Sequence, residues 1–259
     1  FRYGTNKLRG GYYKAIKSSK VAYPSSIMLE VTNHCNLKCI TCPREYQFGE
    51  EMAKGFMNLE NLKKVVDEVY PYVDSIGLTG LGETLMYKQL DDAVKYIRGK
   101  SQGIITFISI NAHVPKCVEM ATQLADNMDT IQISMDGVGD IYENVRLKSN
   151  FSTFYENTRQ IVKACDGKRA EVMFNFVAIK ENYHTMAEVI EAAHELGVRY
   201  VNVTPFNVAS VTAHDISYYD FFQSEVFIEE TERAIATAKK YDDVELTLWD
   251  FKTKNLSLI

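Results

Sequence analysis

Residues 31–43 read Val-Thr-Asn-His-Cys-Asn-Leu-Lys-Cys-Ile-Thr-Cys-Pro and directly follow an apolar, strand-like run. The three thiols of this stretch, Cys35, Cys39 and Cys42, have the spacing C-x3-C-x2-C. Iron–sulfur clusters are usually held by four cysteine thiolates, so three thiolates leave one iron of a cubane cluster without a protein ligand. An open position is typical of catalytic rather than structural metal centres. The spacing therefore predicts a [4Fe–4S] cluster built for chemistry.

Two other uses of these thiols have to be weighed. Structural zinc sites usually show paired C-x2-C units, whereas here the first gap is three residues and no second pair follows. His34 or a distant residue would have to be the fourth zinc ligand. A disulfide framework is disfavoured because the chain has five cysteines, an odd number, and no secretory signal. The alternative that stays open is a non-catalytic iron or zinc sensor.

The remaining cysteines, Cys117 and Cys165, stand alone within predicted helices, and we expect them to be core thiols. Hydrophobic residues make up 46% of the 259-residue chain, which is ordinary for one globular domain. The net charge of −5 gives no support for nucleic-acid binding. No apolar run approaches the roughly 18 residues of a membrane span. Reduced thiols and the lack of a signal segment predict a cytoplasmic location without membrane association.

Strand-like and helix-like segments alternate along the chain, as in βα units around a parallel sheet. The predicted strands cover residues 26–31, 74–79, 103–110, 130–135, 171–179 and 199–204, with a further strand at 244–249. The predicted helices cover residues 59–69, 90–97, 116–125, 154–164, 183–196 and 225–238, and Gly197 is expected to end the fifth of these. Six βα units predict an α/β fold with an open, partial (β/α)6 barrel over residues 26–259.

Residues 1–25 form a basic lead segment in front of the first strand. No acidic residue precedes Glu30, and we predict a short helix over residues 12–20. A solvated segment is the simpler interpretation, and a docking strip for an acidic partner or peptide is the alternative. The basic residues of this segment are Arg2, Lys7, Arg9, Lys14, Lys17 and Lys20.

Polar residues recur where the predicted strands end. Because the carboxyl ends of parallel strands meet at one rim, we expect these residues to lie together. In chain order they are the cysteine loop, the turn at residues 79–84, Asn111, residues 134–137, Asn175 within the fifth strand, and residues 204–207. Asp215, Tyr218, Tyr219 and Asp220 follow the sixth strand and line either a substrate mouth or a solvated loop.

The C-x3-C-x2-C stretch after a first strand resembles the radical SAM superfamily, and Cys35-Asn-Leu-Lys-Cys-Ile-Thr-Cys-Pro-Arg44 resembles its SPASM-type branch. The resemblance implies the same (β/α)6 architecture. It also implies that the amino and carboxylate groups of S-adenosylmethionine (SAM) chelate the open iron. One electron from the cluster then breaks a carbon–sulfur bond, and the resulting 5′-deoxyadenosyl radical abstracts hydrogen from a substrate.

The turn Gly80-Leu81-Gly82-Glu83 resembles the GGE element of that family, which engages the methionine ammonium of SAM. Gly82 permits close backbone approach, and Glu83 offers a carboxylate to a cationic amine. Leu81 departs from the double glycine, and Thr84 replaces the usual proline.

Three further cofactor contacts are implied by the resemblance. Ser134 matches a serine that holds the SAM carboxylate or ribose, Asn175 matches a polar position near the ribose, and the backbone at Thr41 would contact adenine. Tyr142 and Arg146 resemble a Tyr-x3-Arg element. Arg146 would pair either with the SAM carboxylate or with Glu143 on the surface, and it is therefore left out of the predicted site.

The resemblance predicts an enzyme that oxidises, epimerises or cross-links a peptide or a small, sugar-like molecule. It further implies an external low-potential electron donor such as flavodoxin or ferredoxin. SPASM-type relatives carry a cysteine-rich C-terminal extension, but no cysteine follows Cys165 and the sequence ends on Asn255-Leu-Ser-Leu-Ile259. We expect that such an extension is missing from this chain. No catalytic acid or base is predicted.

Overall fold

Seven parallel strands form the central sheet of the chain in a computed structural model, which describes residues 2–207 and 216–249. The spatial order of the strands follows the chain without reversal, β1-β3-β4-β5-β7-β8-β9. A short antiparallel pair, β2 with β6, lies outside this sheet. The strands are β1 (Ser26–Met28), β2 (Lys38–Cys39), β3 (Ser75–Gly77), β4 (Ile105–Ile110), β5 (Thr130–Ser134), β6 (Arg146–Leu147), β7 (Glu171–Ala178), β8 (Tyr200–Pro205) and β9 (Glu245–Leu248).

The helices connect consecutive strands of the sheet. When neighbouring parallel strands follow chain order, right-handed connections carry every helix to the same face, so the other face is left to form a concave wall. The helices are α1 (Arg2–Ala15), α2 (Gln47–Glu50), α3 (Leu59–Val69), α4 (Leu90–Lys100), α5 (Cys117–Leu124), α6 (Gly139–Val145), α7 (Phe151–Cys165), α8 (Met186–Leu196) and α9 (Glu225–Ala238). None of those in the described ranges is long and apolar enough to cross a membrane.

The two faces of the sheet differ in chemistry because side chains alternate along a strand. Ile133 on β5 and Phe174 on β7 are fully buried and pack with helix residues such as Ile161. Their strand neighbours Ser134 and Asn175 are only half-buried and face the other way. The hydrophobic core therefore lies between sheet and helices, and polar side chains line the concave wall.

Local sequence signals set several helix ends. Asn58 accepts hydrogen bonds from the backbone N–H groups of residues 60 and 61 and so caps α3, while Asn150 caps α7 in the same way. The predicted stop at Gly197 is confirmed, because α8 ends there in the left-handed conformation, with φ +74°.

The predicted α/β partial barrel is confirmed, and the strand at residues 245–248 makes it a seven-stranded sheet. The first strand is shorter than predicted and ends at Met28. Helix α6 and the β2–β6 pair were not predicted from the sequence. Asp215 and residues 255–259 lie outside the described residues. The division into a lead segment over residues 1–25 and a core from residue 26 stays a prediction.

The predicted bounds of the N-terminal helix are wrong, since α1 covers Arg2–Ala15. Lys17 has a left-handed φ of +51°, which stops the helix well before Lys20. The buried Asn6 ties α1 to the segment that precedes β1. Its amide group donates to the backbone oxygen of Tyr23 at 2.9 Å and accepts from the backbone N–H of Tyr23 at 3.0 Å. The ring of Tyr23 stacks on Tyr72, with centroids 4.1 Å apart.

Candidate functional site

The cysteine loop begins just after β1 and carries three half-buried, unpaired thiols, Cys35, Cys39 and Cys42. Strand β2 pairs with β6, which sets Cys39 opposite Arg146. The backbone N–H of Cys42 donates to the backbone oxygen of Cys39 at 3.0 Å. The loop is thus held on one side by a segment more than a hundred residues away in sequence.

Burial acts on the protonation of these thiols. It raises the pKa of Cys39 to about 11 and also raises the pKa of Cys35. A neutral thiol is a poor ligand, but a bound metal deprotonates the cysteines that coordinate it. Burial therefore favours the neutral form of Cys35 and Cys39 in the metal-free protein.

The described residues contain no group of three or more His, Cys, Asp or Glu side chains that converges on a single metal ion. In a [4Fe–4S] cluster each thiolate binds a different iron, so the sulfur atoms need not converge on one point. This finding is therefore compatible with a cluster on Cys35, Cys39 and Cys42.

Side chains from two other strand ends reach the sulfur atoms. Asn111, directly after β4, places Nδ2 3.7 Å from Cys35 Sγ and donates to Asn36 Oδ1 at 2.8 Å. Arg146 places Nη1 3.8 Å from Cys39 Sγ. Donors aimed at ligand sulfurs stabilise the thiolate charge and tune the potential of a cluster.

Arg146 is itself held by a buried carboxylate. Its Nη2 lies 2.7 Å from Asp136 Oδ2, and Asp136 has no exposed surface. The expected surface pair of Arg146 with Glu143 is wrong, because Glu143 instead accepts from the backbone N–H of Phe151 at 2.7 Å. The pairing of Arg146 with the SAM carboxylate stays a prediction. The buried pair with Asp136 was not predicted from the sequence.

Two buried polar atoms beside the loop have no hydrogen-bond partner among the described residues, namely Arg146 Nε and the Tyr142 hydroxyl. The Tyr142 ring stacks on Phe154 with centroids 4.4 Å apart, and burial raises the pKa of its hydroxyl. Buried donors without partners are costly, and they fit a bound group that supplies acceptors.

The turn after β3 packs its backbone directly against the entry to the cysteine loop. A side-chain carbon on Gly82 would lie 2.2 Å from the backbone oxygen of Thr32 and 2.8 Å from Asn33 Cα. The next residue, Glu83, donates its backbone N–H to the backbone oxygen of His34 at 2.7 Å. Only glycine allows this approach, so Gly82 fixes how the turn and the loop face each other.

The carboxylate of Glu83 is 3% exposed and already accepts two backbone hydrogen bonds. They come from Leu85 N at 3.1 Å and from Asn111 N at 2.7 Å, so Glu83 joins the ends of β3 and β4. Burial raises its pKa to about 7, against the opposing effect of these bonds and of Arg146. The expected bond from Glu83 to an ammonium group stays a prediction.

Ser134 and Asn175 are direct neighbours in the register of β5 and β7. Asn175 in turn sits beside Asn202 of β8, whose Nδ2 donates to Asn175 Oδ1 at 2.8 Å. Trp249, just past β9, donates from Nε1 to Asn202 Oδ1 at 2.7 Å. These side chains form a polar row across the concave wall, and neither Asn202 nor Trp249 was predicted from the sequence.

The structure brings most of the predicted residues to one rim. Asn111 links Cys35 to Glu83, and Gly82 and Glu83 lie against the entry to the cysteine loop. Cys39 contacts Arg146, and Thr41 lies half-buried between the second and third cysteines. No hydrogen bond among the described residues joins Thr41 to Ser134 or Asn175. Asn111 was recognised as a strand-end residue, but its contact with a cysteine depends on the fold.

A polar groove of about 330 Å³ leads from solvent to Cys35. Lys38, Lys54 and Lys148 on its rim are exposed. Arg44 and two acidic residues, Glu45 and Glu50, complete its charged lining, so cations outnumber anions there by four to two. The groove is locally basic although the whole chain carries a charge of −5.

A family comparison matches residues 29–204, more than half of the chain, to the Radical SAM superfamily. A curated relative from Pyrococcus furiosus is the tungsten-containing aldehyde ferredoxin oxidoreductase cofactor-modifying protein. It is 27% identical over 179 residues, which cover 66% of this chain and 49% of that protein. The GTP 3′,8-cyclase of Desulforamulus reducens is 25% identical over 185 residues, which cover 69% of this chain and 55% of that protein. The chain thus spans about half the length of these relatives.

Solved structures share the fold at low sequence identity. SuiB of Streptococcus suis bound to S-adenosylmethionine superposes with a TM-score of 0.71 at 15% identity, covering 94% of this chain and 55% of that chain. Native anSMEcpe with bound AdoMet gives a TM-score of 0.60 at 16% identity, covering 86% of this chain and 64% of that chain.

Proposed function

This chain belongs to the radical SAM superfamily, whose enzymes use a [4Fe–4S] cluster and SAM, and we propose that Cys35, Cys39 and Cys42 are its cluster ligands. The observation that carries this proposal is the set of three unpaired thiols in one loop, two of them met by N–H donors from other strand ends. When bound, the two groups supply a 5′-deoxyadenosyl radical that abstracts hydrogen from a substrate carbon.

The protein residues prepare this site in distinct ways. Asn111 and Arg146 direct N–H groups at ligand sulfurs, which offsets negative charge in a half-buried loop. Asp136 forms a buried ion pair with the Arg146 guanidinium and so fixes its position. We propose that the backbone around Gly82 and Glu83 receives the methionine ammonium of SAM, since the turn is pressed against the cysteine loop.

The concave wall would hold the rest of the cofactor. We propose that Ser134 and Asn175 bind oxygen atoms of SAM and that the backbone at Thr41 contacts its adenine. The support is position, because Ser134 ends β5 and is the register neighbour of Asn175 within β7. Ligands in folds of this kind bind outside the carboxyl ends of the strands.

For the substrate we propose a peptide or a small, sugar-like molecule that is oxidised, epimerised or cross-linked. One SuiB structure is bound to a precursor peptide, and that protein has this fold. The half-buried Ser109, Gln132 and Asn202 on the concave wall offer hydrogen bonds to amides and hydroxyls. Turnover of GTP but of no peptide would contradict this choice and would align the chain with the cyclases.

A one-electron donor has to deliver its electron near the cluster. We propose that the basic groove beside Cys35 receives a small acidic carrier such as flavodoxin or ferredoxin. The support is charge, since Lys54 and Lys148 stand exposed on the groove of a chain that is acidic overall. Complementary charge at such a surface speeds association and makes the rate depend on ionic strength.

The proposal is tested by electron paramagnetic resonance of the anaerobically reconstituted, reduced protein. We expect a [4Fe–4S]⁺ signal that changes when SAM is added, because SAM occupies the iron without a protein ligand. Tight zinc binding with no response to SAM would contradict the proposal and favour the alternative, a non-catalytic metal sensor.

A further inference from the structure

Three side chains form a directed hydrogen-bond chain across β7, β8 and the end of β9. Trp249 Nε1 donates to Asn202 Oδ1 at 2.7 Å, and Asn202 Nδ2 donates to Asn175 Oδ1 at 2.8 Å. The chain is anchored at its far end, because the backbone N–H of Trp249 donates to the backbone oxygen of Val203 at 3.1 Å. Trp249 is the sole tryptophan of the sequence.

The direction of this chain follows from the chemistry of indole. The Nε1–H group of tryptophan only donates, so Asn202 must turn its carbonyl oxygen toward Trp249. The NH₂ group of Asn202 then points to Asn175, which must accept this hydrogen bond with its own carbonyl oxygen. The indole donor thus fixes the orientation of both amides.

The orientation of Asn202 determines which group Asn175 can offer to a ligand. Asn175 Nδ2 is directed away from Asn202 and makes no hydrogen bond with another described residue, while the side chain stays half-buried beside Ser134. An isolated asparagine offers a ligand either its oxygen or its nitrogen by rotating its amide. Here rotation of the Asn175 amide would break the hydrogen bond from Asn202. Turning Asn202 to compensate would break the bond from Trp249 instead. Either rotation costs one hydrogen bond, so Asn175 presents its NH₂ donor to the concave wall.

We propose that Trp249 and Asn202 are positioning residues that fix the Asn175 amide as a donor to an acceptor oxygen of SAM on the concave wall. This inference rests on the proposed function, in which Asn175 contacts SAM. Trp249 does not contact the cofactor. It acts by orienting the Asn175 amide before SAM binds, and such preorganisation lowers the free-energy cost of association.

The test measures SAM affinity by calorimetry on the anaerobically reconstituted protein, independently of turnover. Trp249→Phe keeps an aromatic ring and removes the donor. We expect it to weaken SAM binding about three- to tenfold, the range of a single hydrogen bond. Tyr200→Phe, on the same sheet, is the matched control and is expected to bind SAM as the unchanged protein does.

A double-mutant cycle separates positioning from general structural support. Asn175→Asp still accepts from Asn202 but has no NH₂ group, so it should weaken binding by itself. If Trp249 acts through Asn175, adding Trp249→Phe to Asn175→Asp should change the affinity less than about twofold. An equal loss in both backgrounds would overturn the inference, as would an unchanged affinity in Trp249→Phe alone.

Two further outcomes are distinguishable. If Trp249→Phe does not fold, Asn202→Leu interrupts the same chain and is expected to weaken binding to a similar extent, and an unchanged affinity in that variant would overturn the inference. If the unchanged, cluster-loaded protein binds no SAM, the proposed function itself fails. Normal binding in Trp249→Phe and Asn202→Leu together with weakened binding in Asn175→Asp contradicts only the positioning role. Normal binding in Asn175→Asp as well contradicts the proposed contact of Asn175 with SAM.

Discussion

Arg146 Nη2 lies 2.7 Å from Asp136 Oδ2, and the same guanidinium reaches to 3.8 Å from Cys39 Sγ through Nη1. The ion pair joins the end of β5 to the cysteine loop in a place from which water is excluded. Asp136 also accepts from the backbone N–H of Val177 at 2.8 Å, so the pair is tied to the central sheet as well. The position of the cysteine loop therefore depends on the carboxylate of Asp136, which lies outside the loop.

Asp136→Asn should be strongly destabilising, because it leaves the Arg146 guanidinium buried without its counter-charge. Removing one partner of a buried ion pair costs about 3–5 kcal/mol. The measurement is urea unfolding of the cluster-free protein under reducing conditions. Glu245→Gln, which breaks the exposed pair with Arg199, is the control and should cost about 1 kcal/mol or less. Equal small losses in both variants would contradict a structural role for Asp136.

Gly82→Ala should displace the turn from the cysteine loop, since the new carbon would lie 2.2 Å from the backbone oxygen of Thr32. Backbone cannot yield as a flexible side chain does, so we expect a loss of about 1–3 kcal/mol and a lower iron content after reconstitution. Gly99→Ala is the matched control, because that helical position has open space around it. The control should be neutral or stabilising by about 0.5–1 kcal/mol. Full iron loading in Gly82→Ala would count against the close approach.

Glu83 should make stability depend on pH. Burial raises its pKa from 4.5 to about 7, so between these values the folded protein binds more protons than the unfolded chain. Its contribution is fully present below about pH 4.5 and is lost as pH rises toward 7, by about 3 kcal/mol at about 1.4 kcal/mol per pKa unit. Glu83→Gln removes this dependence, whereas Glu68→Gln at an exposed position of α3 should keep it. Identical pH profiles of the unfolding free energy for Glu83→Gln and the unchanged protein would refute this assignment.

Lys54→Glu and Lys148→Glu should slow reduction of the cluster by flavodoxin hydroquinone, because both reverse charge at the groove beside Cys35. We expect a loss of about tenfold at low ionic strength that shrinks as salt screens the charges. Dithionite, a small reductant, should reduce all variants alike. Lys163→Glu, near the end of α7 and hence at the opposite edge of the sheet, is the control. A salt-independent rate that is equal in all variants would place the donor elsewhere.

Much of this site follows from local sequence. The cysteine spacing, the glycine turn, the strand-end position of Ser134 and the place of Asn175 within a strand can be predicted, because each depends on a few neighbouring residues. The pairing of Asp136 with Arg146 cannot be predicted from local sequence, because it requires α6 to bring the chain back to β2. The row of Asn175, Asn202 and Trp249 depends on the register of three strands far apart in sequence. Tertiary packing decides which polar side chains meet across strands, and no periodic pattern in the sequence predicts these contacts.

The most direct test of the central claim is to incubate the reconstituted, reduced protein with SAM under anaerobic conditions and to quantify 5′-deoxyadenosine. The account predicts that it forms with the unchanged protein and with Cys165→Ala, whose thiol is buried in α7 away from the site. It should be absent with Cys39→Ala. No 5′-deoxyadenosine from iron-loaded, reduced protein, or undiminished formation in Cys39→Ala, would contradict the claim that this loop holds the catalytic cluster.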